Sequence, residues 1–152
     1  MFKKILVCLD GSNLSEQILR YVSEEASGSN KKVILLQAMT LPMITPVAIP
    51  GDVSNVAPML PSPEQIAEDE AKIKKYLEKK AKSLKEMGID TQYAVVSGDP
   101  GSMIIDYAEK NAIDLIAIAT HGRSGLRRII YGSVAEYVIK HSKLPILLIK
   151  PK

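Results

Sequence analysis

Two short segments carry residue types and spacings that can do chemistry. Asp10-Gly11-Ser12-Asn13 follows the apolar run Ile5-Leu6-Val7-Cys8-Leu9, and Ala119-Thr120-His121-Gly122-Arg123-Ser124-Gly125 closes the run that starts at Leu115. Further on stands Gly132-Ser133, just before a pattern that opens a helix. The first N–H groups of that helix, with the positive end of its dipole behind them, are suited to a phosphate. Gly122 and Gly125 let the backbone come close to a ligand. Ser133 adds a hydroxyl, and Arg123, Arg127 and Arg128 add positive charge. The segment reads as an anion cradle. A plainer account uses the same residues: Ser133 with Glu136 makes a capping box, and the glycines make turns.

Asp10 also has two readings. An aspartate after a strand caps the next helix or closes an Asx-turn; alternatively, it hydrogen-bonds a ribose hydroxyl or a base edge across the crevice. Asp10, His121 and a serine do not make a hydrolase triad, because the G-x-S-x-G elbow is missing. No G-x-x-x-x-G-K-[ST] occurs, which excludes a P-loop NTPase, and the lack of G-x-G-x-x-G after the first run argues against a classical dinucleotide fold. The S-G-G-x-D-S loop of the pyrophosphatases is absent too. Cys8, inside an apolar run, reads as a small core residue, and His141 as a residue at a helix C-terminus.

Five apolar runs must position these segments: Ile5–Leu9, Val33–Leu36, Tyr93–Val96, Leu115–Ala119 and Ile146–Ile149. Runs apolar on both faces belong to a parallel sheet covered by helices on both sides. Between them lie helical patterns. Ser15 to Ala26 sets Ile18, Val22 and Ala26 on one face. Ser62-Pro63-Glu64-Gln65 opens a helix that carries Ile66, Ile73, Leu77 and Leu84 and ends at Gly88. Asp99-Pro100 opens another with Ile104, Ile105 and Ala108 inward, and Ser133 opens the last, to His141. The alternation predicts an α/β fold with right-handed crossovers, in one domain over residues 1–152. In an open sheet of this kind ligands bind beyond the carboxyl ends of the strands.

With 152 residues and 46% apolar content, the chain has material for one packed domain. The charge of +3 does not mark a nucleic-acid or membrane binder. A single cysteine, no leader pattern and no run near 18 apolar residues predict a soluble protein of a reducing compartment. Met39 to Ser62 breaks the alternation with five of the nine prolines and no Lys or Arg. It reads as a surface excursion or as a lid or partner contact.

Lys3-Lys4-Ile5-Leu6-Val7-Cys8-Leu9-Asp10-Gly11-Ser12 and Ala119-Thr120-His121-Gly122, nine residues, Gly132-Ser133 together resemble the universal stress protein family. Gly98-Asp99-Pro100 and Leu144–Ile149 are similar to its pattern as well, so the resemblance spans the chain. It implies a Rossmann-like, adenine nucleotide alpha hydrolase-like fold: a five-stranded parallel sheet of order 3-2-1-4-5 with helices on both faces, in a homodimer. The apolar edge strand at 145–149 predicts that the dimer pairs through the C-terminal strand. The family's ATP-binding branch carries G-x-x-G, nine residues, G-[ST]; another branch lacks it and does not bind ATP. Gly122, Gly132 and Ser133 stand at family spacing, while Ala119 replaces the first glycine and implies a reshaped site. The resemblance implies Asp10 and Ala38 near adenine and ribose, and Ile118 and Ala119 under the nucleoside. Gly122, Arg123, Gly132, Ser133 and Val134 would then meet the phosphates. The same resemblance implies ATP with Mg²⁺, a cytoplasmic location, no catalytic residue, and a dimeric sensor or adaptor in the stress response with an unidentified protein partner. The alternative is a dimer that acts through protein contacts alone.

Overall fold

The computed structural model describes residues 2–41, 60–120 and 132–152. Strand β1 (Lys4–Leu9) lies at the centre of the sheet, with β2 (Lys32–Met39) on one side and β4 (Leu115–Ala119) on the other. Strands β3 (Asp90–Ser97) and β5 (Ile146–Ile149) form the two edges, and all neighbours are parallel, giving the order 3-2-1-4-5. Registers such as Val7 opposite Leu35 and Ala117 bring the apolar runs of three strands into one layer.

Successive residues of β1 point to opposite faces. Ile5, Val7 and Leu9 pack under α2 (Ile18–Ala26) and α3 (Pro63–Glu86), with Val22, Leu77 and Leu84. Leu6 and Cys8 pack under α4 (Pro100–Lys110) and α5 (Ser133–His141), with Ile104, Ala108 and Val138. Both faces are covered, and this is why β1 carries no polar alternation. Truncating a fully buried member such as Leu77 to alanine would cost about 2–5 kcal/mol.

The helix starts follow the sequence in two of four places. Ser62 accepts from Gln65 N at 3.1 Å with Pro63 behind it, and Asp99 accepts from Ser102 N at 3.0 Å ahead of Pro100. The first helix differs. Its cap is Ser12, and a short turn α1 (Asn13–Glu16) precedes α2, with Gln17 between them in helical geometry. The last helix differs too: Gly132 is its N-cap and Ser133 its first residue, so the expected Ser133–Glu136 capping box gives way to the backbone bond from Glu136 N to Gly132 O.

The third strand also departs from expectation. It runs from Asp90 to Ser97, and only Thr91 in it is buried, because β3 is an edge strand. Strand β2 is longer than its apolar run and ends at the buried Met39, the first residue of the proline-rich stretch. Most of that stretch, residues 42–59, lies outside the described residues, as does 121–131 with His121, Gly122, Arg123, Arg127 and Arg128. Among the described residues, no helix is long and apolar enough to cross a membrane.

Candidate functional site

The strands β1, β2 and β4 end side by side, and the chain diverges from them: after β2 toward α3 and after β4 toward α5. A pocket of about 160 Å³ opens at this place. An engineered apolar cavity of about 150 Å³ is large enough for benzene, so a planar ring fits here. Asp10, Ala38, Ile118, Ala119, Gly132 and Val134 all line it. The structure thus brings together six residues from four separate places in the chain that sequence reasoning singled out. Ser133 stands beside them at the start of α5 with its side chain exposed. Gly122 and Arg123 fall outside the described residues.

The floor of the pocket is apolar. Cys8 and Ile118 are register partners on β1 and β4. Leu36 and Ala38, two apart on β2, present the same face. Burial pushes the Cys8 thiol up to about 12, which keeps it protonated and unreactive at neutral pH. Pro100 and Ile104 close one wall from α4, and Val134 and Ala135 close the other from α5. The first turn of α4 is secured by Asp99. Hydrogen bonds from the Ser102 backbone N–H and hydroxyl hold the Asp99 carboxyl below the usual carboxylate range.

The polar groups sit at the rim. Asp10 is exposed, and its Oδ1 accepts from Ser12 N at 2.8 Å, so the Asx-turn does form. The helix cap is nevertheless Ser12. Gly11 turns the loop with φ +83°, a conformation that L side chains rarely adopt. Across the pocket, Gly132 has no side-chain cap hydrogen bond to the helix it begins. Its φ of −53° and ψ of 150° leave the first N–H groups of α5 aimed out of the helix end, as an anion requires. Base-sized apolar space therefore lies between a carboxylate loop and a helix N-terminus.

Sequence reasoning missed Ser15, Leu36, Pro100, Ile104 and Ala135 as pocket residues, and read Cys8 and Leu9 as core alone, although both also line the pocket. Leu36 was two positions from Ala38 and so on its face, and Pro100 followed a recognised cap. Ser15 gave a weaker sign: a serine on the inward face of its helix, 6% exposed. Among the described residues, no three metal-ligating side chains cluster.

The universal stress protein family model matches residues 1–150. Universal stress protein MJ0577 of Methanocaldococcus jannaschii is 33% identical over 158 aligned residues, covering 100% of this chain and 97% of its own. The solved structure described as hypothetical protein MJ0577 superposes with a TM-score of 0.66 at 29% identity, over 100% of this chain and 98% of that one. A universal stress protein in complex with cAMP has a TM-score of 0.69 at 21% identity, over 98% and 97% of the two chains, a likeness of fold. The sheet order, the pocket at the strand ends and a family match over nearly the whole length agree: the chain belongs to the universal stress protein family.

Proposed function

We propose that this protein binds ATP, with Mg²⁺ on its phosphates, and acts as a dimeric nucleotide-dependent sensor or adaptor in the cytoplasm rather than as an enzyme. The observation that carries the reading is the shared pocket of Asp10, Ala38, Ile118, Ala119, Gly132 and Val134 beside the start of α5, where the cap residue Gly132 brings no side chain of its own. A base lies over the apolar floor between β1 and β2. The ribose faces Asp10, and the phosphates face the first turn of α5 and Ser133, with Gly122 and Arg123 assigned there by the family motif. The same fold holds cAMP in a relative. The dimer reading rests on β5, an edge strand whose Ile146, Leu147 and Leu148 are only partly buried. Exposed apolar edges of this kind pair readily.

Ala119 favours a second reading, in which the chain belongs to the branch without nucleotide. Its methyl stands at the last residue of β4, opposite Ile149, where the ATP-binding branch has glycine. Mass spectrometry of protein denatured straight after purification, with calorimetric titration by ATP and Mg²⁺, separates the two. A co-purified nucleotide or saturable heat supports binding; neither, up to millimolar ATP, supports the second reading. A turnover assay tests the enzyme question: hydrolysis well above the uncatalysed rate would overturn the sensor assignment.

A further inference from the structure

We propose that Ser15 is a positioning residue that sets the Asp10 carboxylate, and that the pair gives the site its preference for a ribose diol. The proposal rests on the nucleotide reading of the pocket. The β1 ladder ends at Leu9 opposite Gln37 on the β2 side and at Cys8 opposite Ile118 on the β4 side, so the N–H of Asp10 lies beyond the sheet. Ser15 Oγ accepts that N–H at 3.3 Å and donates its own proton to Ser12 O at 2.9 Å. Ser12 returns two bonds: its N–H donates to Asp10 Oδ1 at 2.8 Å, and its Oγ accepts from Ser15 N at 3.1 Å. Among the described residues, Ser12 and Ser15 thus hold Asp10 at its backbone and at one carboxylate oxygen through linked hydrogen bonds.

Ser15 is buried against the pocket, while Asp10 is exposed at its rim. A buried hydroxyl among apolar groups is costly unless both of its roles are satisfied. Here both go to the backbone of the loop that carries Asp10. The neighbouring residues fix the same turn from other sides. Glu16 pairs with Lys80 of α3 at 2.6 Å, and the Gln17 amide exchanges two bonds with the backbone of Lys152, at 3.1 and 3.0 Å. With α1 anchored on both, the Ser15 hydroxyl transmits that rigidity to Asp10. Polar ligand groups are read well only when such supporting bonds hold the reading side chain in place.

Ser15→Ala isolates this role. It keeps the backbone N–H that Ser12 Oγ caps, places a better helix former at that position, and deletes only the hydroxyl. The experiment is calorimetric titration of wild type, Ser15→Ala, Asp10→Ala and the double variant with ATP and with 2′,3′-dideoxy-ATP. Wild type is expected to prefer ATP about tenfold or more, the scale of one hydrogen bond to a charged group. Ser15→Ala should lose most of that preference while its affinity for the dideoxy nucleotide stays within about threefold, a split that a merely structural role would not produce. The double variant should prefer ATP no less than Asp10→Ala does alone. A wild-type preference retained in Ser15→Ala, or effects of the two substitutions that multiply, would overturn the proposal. If wild type binds neither nucleotide, the nucleotide reading fails instead, and amide exchange decides the positioning role. Faster exchange at Asp10 in Ser15→Ala supports it, and unchanged exchange overturns it.

Discussion

Gly101 and Tyr137 meet so closely that a Cβ on Gly101 would stand 2.6 Å from Tyr137 Cδ1 and 2.7 Å from Cγ. The first turn of α4 and the middle of α5 thereby approach at their backbones, and Ser102 Oγ lies 3.4 Å from the Tyr137 hydroxyl. Alanine would gain helix propensity there, but the ring root cannot swing away as a flexible chain end could. Overpacking wins: Gly101→Ala should lose about 1–3 kcal/mol. It should also widen the pocket between Pro100 and Val134 and weaken ligand binding. Adding Tyr137→Leu should restore part of the stability in denaturant titrations; no recovery would place the strain elsewhere.

Gly132 separates folding from binding. Aspartate is a favoured N-cap, and the backbone of Gly132 lies in a region open to any residue. Gly132→Asp should therefore leave thermal stability unchanged or higher. Its carboxylate would occupy the place of the phosphates, and ATP affinity should fall about a hundredfold, or ~2.8 kcal/mol. Ala119→Gly should keep or tighten binding. Calorimetry on both variants checks this, and undiminished affinity in Gly132→Asp would move the phosphates away from α5.

The β5 edge makes a prediction about mass. Leu147→Lys places a charge on an apolar edge strand that borders Phe2 and Tyr21. With the proposed dimer built on β5, light scattering should show wild type as a dimer and the variant shifted toward monomer, as charged edge residues block pairing. A dimer of unchanged mass would put the interface on another face.

Helix α4 ends in a left-handed residue that is not glycine. Ala112 has φ +49°, with Ala112 N bonded to Glu109 O and Ile113 N to Ala108 O. The end of α3 has the same pair of bonds with Gly88 at φ +81°. Left-handed geometry costs an L residue about 1–2 kcal/mol, part of which glycine returns as unfolded-chain entropy. Ala112→Gly should raise stability by about 0.5–1 kcal/mol in chemical denaturation.

Cys8 gives a pH dependence. Burial raises its folded pKa to about 12, above that of a thiol in the unfolded chain. Below the unfolded value both states hold the proton and the full stability is present. Between the two values only the unfolded chain releases it, so stability falls as pH rises, by up to ~1.4 kcal/mol per unit. Wild type should lose stability from pH 9 to 11 more steeply than Cys8→Ala. Native protein at pH 8 should resist iodoacetamide until denaturant is added.

Much of the fold was legible because β1, β2 and β4 are buried on both faces and so read as unbroken apolar runs. The edge strand β3 was less so: with solvent on its outer side, Asp90, Gln92 and Tyr93 blur the pattern. Caps were legible where a side chain does the capping, as at Ser62 and Asp99. At Gly132 the backbone begins the helix, and Ser133 gave a false sign. The site was readable through its loop ends, whereas Ser15 and Ile104 join it only through the packing of helices against the sheet, which no local spacing records.

The central position of β1 has a consequence for how the chain is made. Lys4 N–H donates to Asp114 Oδ1 across 110 positions, and Ile5 to Cys8 pair with Leu115 to Ile118. During synthesis at about 5–20 residues per second, β1 waits roughly 5–20 s for the strand that completes it. For that interval the central strand of the sheet has one open edge on the nascent chain. A newborn chain in this window is a natural client for chaperones, and slowing translation after β3 would lengthen its exposure.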